Sequence, residues 1–197
     1  MSDGIDKKFI KDYYSRMSDE DLIRETTQQA YNLTPEAYEV IDEVLRSRNL
    51  DKQVHSAVEA QKKEYTPDEI DEYCKILQYL KCPVCGSSQN KLNGTLISET
   101  VSFLIVTTSY KKIIIGCPDC LDKESAKARD KTLMLGWWGF PWGPIRSAQS
   151  LNINSDSKRF HRIDKPNHHL QSFTLSKIGE IEMYKNNKEK LQNLIEV

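Results

Sequence analysis

Two Cys-x-x-Cys pairs constrain the fold of this chain more than any other feature of its sequence. The pairs are Cys82-Pro83-Val84-Cys85 and Cys117-Pro118-Asp119-Cys120, and the segment 86–116 separates them. Two sulfur atoms three positions apart lie on one tight turn, so two such turns can form a tetrahedral cage that suits zinc or iron. Two disulfides or buried free thiols are the alternatives, and disulfides need an oxidising compartment. The spacing favours a structural metal site with Cys82, Cys85, Cys117 and Cys120 as ligands.

Nothing in the sequence directs the chain to an oxidising compartment. Residues 1–16 are charged and polar and lack the apolar stretch of a secretory signal peptide. No apolar run is long enough to cross a bilayer as a helix, so no membrane-spanning helix is predicted. We therefore expect a cytoplasmic protein whose paired cysteines are reduced and bind a metal.

Charge divides the chain close to Cys82. Residues 1–81 contain 12 Lys and Arg against 18 Asp and Glu, a net charge of −6, whereas residues 82–197 contain 16 against 11, a net charge of +5. This asymmetry places a boundary between two regions close to Cys82. We predict a helical module over 1–81, a four-cysteine segment over 82–120 and a third region over 121–197 that packs on that segment. The excess of positive charge is too small to indicate general nucleic-acid binding.

Residues 1–81 have the signals of capped helices. Ser18 is followed by three acidic residues, and Thr34-Pro35-Glu36 and Thr66-Pro67-Asp68-Glu69 place threonine at the N-cap and proline at the first helical position. Apolar residues after each start recur at helical spacing, which indicates helices with one buried face.

Between the cysteine pairs, three segments rich in β-branched residues predict strands at about 92–97, 101–107 and 113–115. An order of cysteine turn, strands and cysteine turn resembles the zinc ribbons over about 82–120. The resemblance implies a small antiparallel ribbon, four cysteine ligands to a structural zinc ion and no catalysis at the metal. The overall fold class predicted is therefore α+β.

The cysteine pattern is also similar to that of the rubredoxins, which carry electrons on iron. Leu121 stands where rubredoxins have glycine, and the residues between the pairs are mainly aliphatic where rubredoxins have an aromatic core. Iron-thiolate electron transfer stays open as an alternative to zinc.

All three tryptophans fall close together, in the stretch Gly136-Trp137-Trp138-Gly139-Phe140-Pro141-Trp142-Gly143-Pro144. The segment 132–145 carries no charge, and three glycines and two prolines interrupt regular structure there. Three interpretations compete: the indoles pack on the ribbon as a core, they form a docking patch for a protein, or they contact a membrane interface. Candidate interaction residues are Trp137, Trp138, Phe140 and Trp142.

This tryptophan block after a four-cysteine ribbon resembles a group of uncharacterised bacterial zinc-ribbon proteins. The residues 14–22 and 33–37 resemble a small helical module attached to varied bacterial proteins, some of them membrane-associated. The two resemblances imply a bacterial origin and a position at the membrane surface, and they imply no activity.

Residues 146–170 are basic and are predicted to form a loop, in which Lys158, Arg159 and Arg162 are candidate phosphate contacts. Two helices are predicted beyond Leu175.

No phosphate-binding loop, dinucleotide-binding glycine pattern or catalytic triad is evident in the sequence. We expect a non-catalytic adaptor in which zinc supports a face that docks on a protein or on the inner face of the membrane. Nucleic-acid binding is the alternative function, and the iron electron carrier is the second alternative.

Overall fold

A computed structural model describes residues 7–104 and 106–196, which form ten helices and one two-stranded antiparallel sheet. In chain order the elements are α1 Lys7–Ser15, α2 Asp19–Gln28, α3 Pro35–Ser47, α4 Asp51–Lys62, α5 Pro67–Gln78, β1 Asn93–Phe103, β2 Val106–Gly116, α6 Pro118–Leu135, α7 Trp142–Lys158, α8 His168–Ser176, α9 Ile178–Tyr184 and α10 Lys188–Ile195. The α+β class is confirmed. Among the described residues, no helix combines the length and apolar character needed to cross a membrane.

These residues form two compact units. The first contains 7–66 and 174–187, and the second contains 67–173 and 188–196. Helix α9 thus belongs to the first unit and α10 to the second. The boundary placed near Cys82 from the sequence concerns independent folding and stays a prediction.

An apolar core holds the first unit together. The helices begin where the sequence predicts, because the Ser18 hydroxyl accepts from the N–H of Asp21 and the Thr34 hydroxyl from that of Ala37. The helices bury aliphatic faces against each other, and the fully or almost fully buried members include Leu22, Ile23, Ile41, Val44, Leu45, Val54 and Val58. Gly179 lets α9 approach α4 closely, since a Cβ there would collide with the carbonyl oxygen of Ala57.

A long β-hairpin is the centre of the second unit, and α6 and α7 pack on β1. Asn93 pairs with Gly116 at the base and Phe103 with Val106 at the turn. We predicted three strands, whereas the structure has two, and the turn interrupts the predicted segment 101–107. Leu104 adopts a φ of 54° there without the glycine or asparagine that ordinarily indicates such a turn.

Helix α7 corrects the prediction of a loop over 146–170. Its segment 146–158 contains few apolar positions, so no apolar stripe indicates a helix. The buried face instead consists of small polar side chains, namely Ser147, Ser150, Asn154 and Ser157. Two predicted C-terminal helices are present as α9 and α10.

Candidate metal centre

The four paired cysteines converge on one point of the second unit. Cys82 and Cys85 lie on the turn that follows α5, Cys117 is the N-cap of α6, and Cys120 lies in its first turn. Their Sγ atoms all lie within 4.8 Å of one another, and those of Cys85 and Cys117 are 3.8 Å apart. Tetrahedral coordination at a zinc–sulfur distance of about 2.3 Å requires sulfur atoms about 3.8 Å apart. The four-cysteine group therefore has the dimensions of a site that can hold a metal ion.

The first turn is shaped by its own backbone. Gly86 has a φ of 72°, which a residue with a side chain rarely adopts, and its N–H donates to the carbonyl oxygen of Cys82 at 2.8 Å. The N–H of Cys82 donates to the carbonyl oxygen of Ser87 at 2.9 Å. This closed turn places both sulfur atoms on one side of the chain.

The second turn uses the start of a helix. Pro118 occupies the first helical position after Cys117, which suits its fixed φ and missing N–H. The N–H of Cys117 donates to the Sγ of Cys82 at 3.3 Å, so the two turns are joined directly. Unpaired N–H groups at a helix start favour a nearby thiolate, which is the form that binds a metal.

The thiols differ in how readily they lose a proton. Burial acts to raise the pKa of Cys82, but N–H groups of Cys117, Cys85 and Val84 outweigh it, and the pKa falls to about 7. The pKa of Cys120 is raised by burial and by the sulfur atoms of the other three cysteines. Four thiolates at this separation repel each other strongly, and a bound cation would neutralise that repulsion.

The remaining cysteine is separate from this group. Cys74 lies on α5 and is fully buried, as its position on the apolar face of that helix predicts. No disulfide links any of the five cysteines, which all lie within the described residues, so the disulfide alternative is not found. Cys85 is the exposed member of the group, whereas Cys82, Cys117 and Cys120 are buried.

The tryptophan block follows α6, and its last three residues, Trp142-Gly143-Pro144, are the start of α7, so regular structure is interrupted only over 136–141. The aromatic side chains of the block do not form a core. Trp137, Trp138 and Trp142 are 41%, 72% and 59% exposed, and Phe140 is 85% exposed. The interpretation in which the indoles pack internally on the ribbon is therefore not found. The residues buried in this stretch are the glycines Gly136, Gly139 and Gly143.

The candidate phosphate contacts lie at the end of α7 and beside α6. Arg162 forms ion pairs with Asp119 at 2.9 Å and with Asp122 at 2.7 Å, so its charge is shared between two carboxylates. Arg159 lies 3.8 Å from Asp156. Lys158 lines a cavity of about 400 Å³ between α6 and α7. Phosphate binding by these three residues stays a prediction.

A buried histidine that sequence reasoning missed connects α6 to β1. The Nδ1 of His161 lies 2.9 Å from the carboxylate of Asp122, and its Nε2 lies 2.8 Å from the hydroxyl of Thr95. Burial lowers the pKa of His161, although the Asp122 carboxylate acts in the opposite direction. Thr95 is fully buried, so its hydroxyl cannot reach a substrate. We therefore interpret this acid–histidine–hydroxyl chain as a structural connection.

A larger polar layer separates β1 from α7. The amide of Asn154 donates to the carbonyl oxygen of Ser98 and accepts from its N–H, both at 2.8 Å. The Ser150 hydroxyl lies 2.8 Å from the hydroxyls of Ser98 and Thr100. The alternation of Ser98, Thr100 and Ser102 along the strand was the signal that could have predicted a buried polar face.

Comparison with known proteins does not add a family to these observations. No protein-family model, curated protein or solved structure matches this chain.

Proposed function

We propose that this chain is a non-catalytic adaptor in which one structural zinc ion is bound by Cys82, Cys85, Cys117 and Cys120. The observation that carries the proposal is the convergence of four Sγ atoms at the separation that tetrahedral zinc requires. Sulfur fills every coordination position in such a site, so no position is left for water or a substrate. This closed arrangement is typical of structural zinc and not of catalytic zinc.

Zinc is favoured over iron by the surroundings of the cysteines. Leu121 is fully buried and contacts Gly116 at the end of β2, where a Cβ on the glycine would lie 3.3 Å from the leucine. Aliphatic packing of this kind replaces the aromatic core that the rubredoxin comparison requires. A protein that binds iron at these cysteines would support the electron-transfer alternative.

The zinc ion would hold the base of the hairpin. The first cysteine turn follows α5, and the second joins β2 to α6, so one ion ties these three elements together. The hairpin turn lies ten residues along β1 from Asn93, which corresponds to about 33 Å. In this proposal the metal fixes one end of the hairpin, and the adaptor docks through the residues at the other end, including Trp137, Trp138, Phe140 and Trp142.

Metal analysis of the purified, reduced protein tests the proposal. We expect about one zinc ion per chain, because four thiolates form one closed site. Cys85→Ser and Cys117→Ser should each lose most of the bound zinc, whereas Cys74→Ser is the matched control and should keep it. Cys74 is a buried cysteine outside the group, so the control separates loss of a ligand from general loss of a thiol.

Three results would contradict the proposal. Freshly prepared protein without zinc or iron would overturn the metal site. Stoichiometric iron with the red colour of a thiolate complex would replace the structural role by electron transfer. Zinc that survives Cys117→Ser would show that the ligands are not the four paired cysteines.

A further inference from the structure

The hairpin turn and the tryptophan block meet at one end of the second unit. The hydroxyl of Ser102 donates to the carbonyl oxygen of Gly136 at 2.7 Å. Gly143 lies so close to the strand that a Cβ there would approach the Ser102 hydroxyl at 3.1 Å. Because Gly136 and Gly143 have no side chain, the tryptophan block can pack directly against the end of the hairpin. We call the surface formed by Phe103, Leu104, Val106 and residues 133–145 the apolar tip.

The large side chains of the apolar tip project into solvent. Phe103 is 76% exposed, Leu104 71%, Met134 72% and Trp138 72%. Side chains exposed to this degree project from the surface. Contiguous apolar patches of this kind mark surfaces that bind a protein or a membrane.

The distribution of charge favours a membrane. Residues 100–110 and 132–145 contain no charged residue, so the two stretches of sequence that contribute to the apolar tip are uncharged. Of the charged residues that bound these segments in sequence, Glu99 is paired with Lys131 and Asp130 with Arg129. The remaining flanking charges, Lys111, Lys112 and Arg146, are all basic. An uncharged tip followed by a basic border matches the acyl boundary and the anionic headgroups of a bilayer.

The indoles suit this environment. Tryptophan is enriched at membrane interfaces because its ring is apolar and its N–H is polar. The N–H of Trp138 donates to the carbonyl oxygen of Met134 at 3.1 Å, so this ring can leave water without an unsatisfied donor. A protein partner would need a cavity to receive each projecting ring, whereas lipid adapts to their shape.

We infer that the apolar tip inserts into the interface of an anionic lipid bilayer, with Lys111, Lys112 and Arg146 against the headgroups. The inference rests on the proposed function, since the zinc site would fix the base of the hairpin that carries the tip. The inferred position is peripheral, with the rings at the interface and the metal site outside the bilayer.

Vesicle co-sedimentation of the full, zinc-loaded chain tests the inference. The probes are vesicles of phosphatidylcholine alone and of phosphatidylcholine with phosphatidylglycerol. We expect preferential binding to the anionic vesicles, with a blue shift of tryptophan fluorescence. Phe103→Ser and Phe140→Ser should each weaken binding about tenfold, because each removes one inserted ring. Phe9→Ser is the matched control, a similarly exposed phenylalanine in the first unit, and should bind like the unaltered chain.

The charge component has its own test. Lys111→Gln should weaken binding to anionic vesicles about fivefold and leave binding to neutral vesicles unchanged. Lys52→Gln, an exposed lysine of the first unit, is the control. Added salt should reduce the difference between the two vesicle types, because it screens the headgroup charge.

Zinc content and oligomeric state measured on the same samples separate the two proposals. Zinc-loaded, folded protein that binds neither vesicle overturns the membrane inference and leaves the metal site intact. Failure of both Phe103→Ser and Phe140→Ser to weaken binding also overturns it. The chain could instead form a dimer that Phe140→Ser dissociates, and bind neither type of vesicle. That result would overturn the membrane inference and identify the apolar tip as a self-association surface. Absence of zinc would overturn the proposed function, whatever the vesicles show.

Discussion

Aliphatic side chains form the core of the first unit, whereas the second unit combines buried aliphatic residues with a layer of small polar side chains between β1 and α7 and with a cysteine cluster. In the first unit Leu22, Ile41 and Val54 are fully buried. In the second unit Ser98, Thr100 and Ser150 are fully or almost fully buried as well. Apolar burial is non-directional and tolerates adjustment, while a buried hydroxyl stabilises only when its partner is in place. The comparison predicts that the second unit depends more on specific contacts and on its metal.

Metal removal should produce the largest difference between the units. A chelator at neutral pH should unfold the hairpin and α6 and leave the helices of the first unit formed, because structural zinc contributes on the order of 10 kcal/mol. Hydrogen exchange measured along the chain would locate the loss. Protection in α2 and α3 should survive, and protection in β1 and β2 should not. Equal loss in both units would show that they do not fold independently.

The polar layer should give the next largest effect. Asn154→Ala should destabilise the second unit by about 3 kcal/mol, since both the N–H and the carbonyl of Ser98 lose a buried partner. Asn152→Ala on the same helix is the matched control, because Asn152 is exposed and should cost under about 0.5 kcal/mol. Chemical denaturation of the zinc-loaded proteins gives both values. If the two variants cost the same, then the polar layer is not essential for the stability of the second unit.

Acid should weaken the second unit through His169, a buried histidine of α8. Burial and the nearby His168 and His161 lower the pKa of His169 to about 4, from an ordinary 6.5. The unfolded chain therefore binds a proton more readily than the folded one. Stability from this group is complete above pH 6.5 and decreases as the pH falls towards 4, by up to about 3 kcal/mol.

Denaturation at several pH values measures that loss. His169→Gln should flatten the dependence between pH 6.5 and 4 relative to the unaltered chain, compared at equal zinc content because acid also displaces the metal. His55→Gln, on a half-exposed histidine of the first unit, is the control. A slope that His169→Gln leaves unchanged would mean that this histidine does not determine the acid sensitivity.

The difference between the aliphatic first unit and the partly polar second unit also explains which features the sequence could predict. Helices with apolar stripes and caps at Ser18 and Thr34 were predicted, because local signals and burial agree there. The convergence of Cys82, Cys85, Cys117 and Cys120 was predicted as well, because the spacing of two turns restricts them to one site.

Other features of the second unit depend on tertiary contacts with no local signal. Helix α7 was predicted as a loop because Ser150 and Asn154 look like surface residues until β1 supplies their partners. The hairpin turn at Leu104 lacks turn residues, so nothing in the sequence separates the strands there. The buried position of His161 depends on Asp122 and Thr95, which lie 39 and 66 residues away in the chain.

The smallest expected effect on stability is at the apolar tip, and it completes the comparison. Trp138 is mostly exposed, so Trp138→Ala should cost less than about 1 kcal/mol, because a ring that remains in water contributes little to folding. Leu121→Ala is the contrast in the same unit, since this fully buried leucine should cost about 2–5 kcal/mol. Thermal unfolding of both zinc-loaded variants measures the difference.

An equal loss of stability in the two variants would mean that the indole of Trp138 packs internally in solution, and the apolar tip could not then be a free surface. A small loss together with weakened vesicle binding would show that this large aromatic residue is retained for contact with another surface.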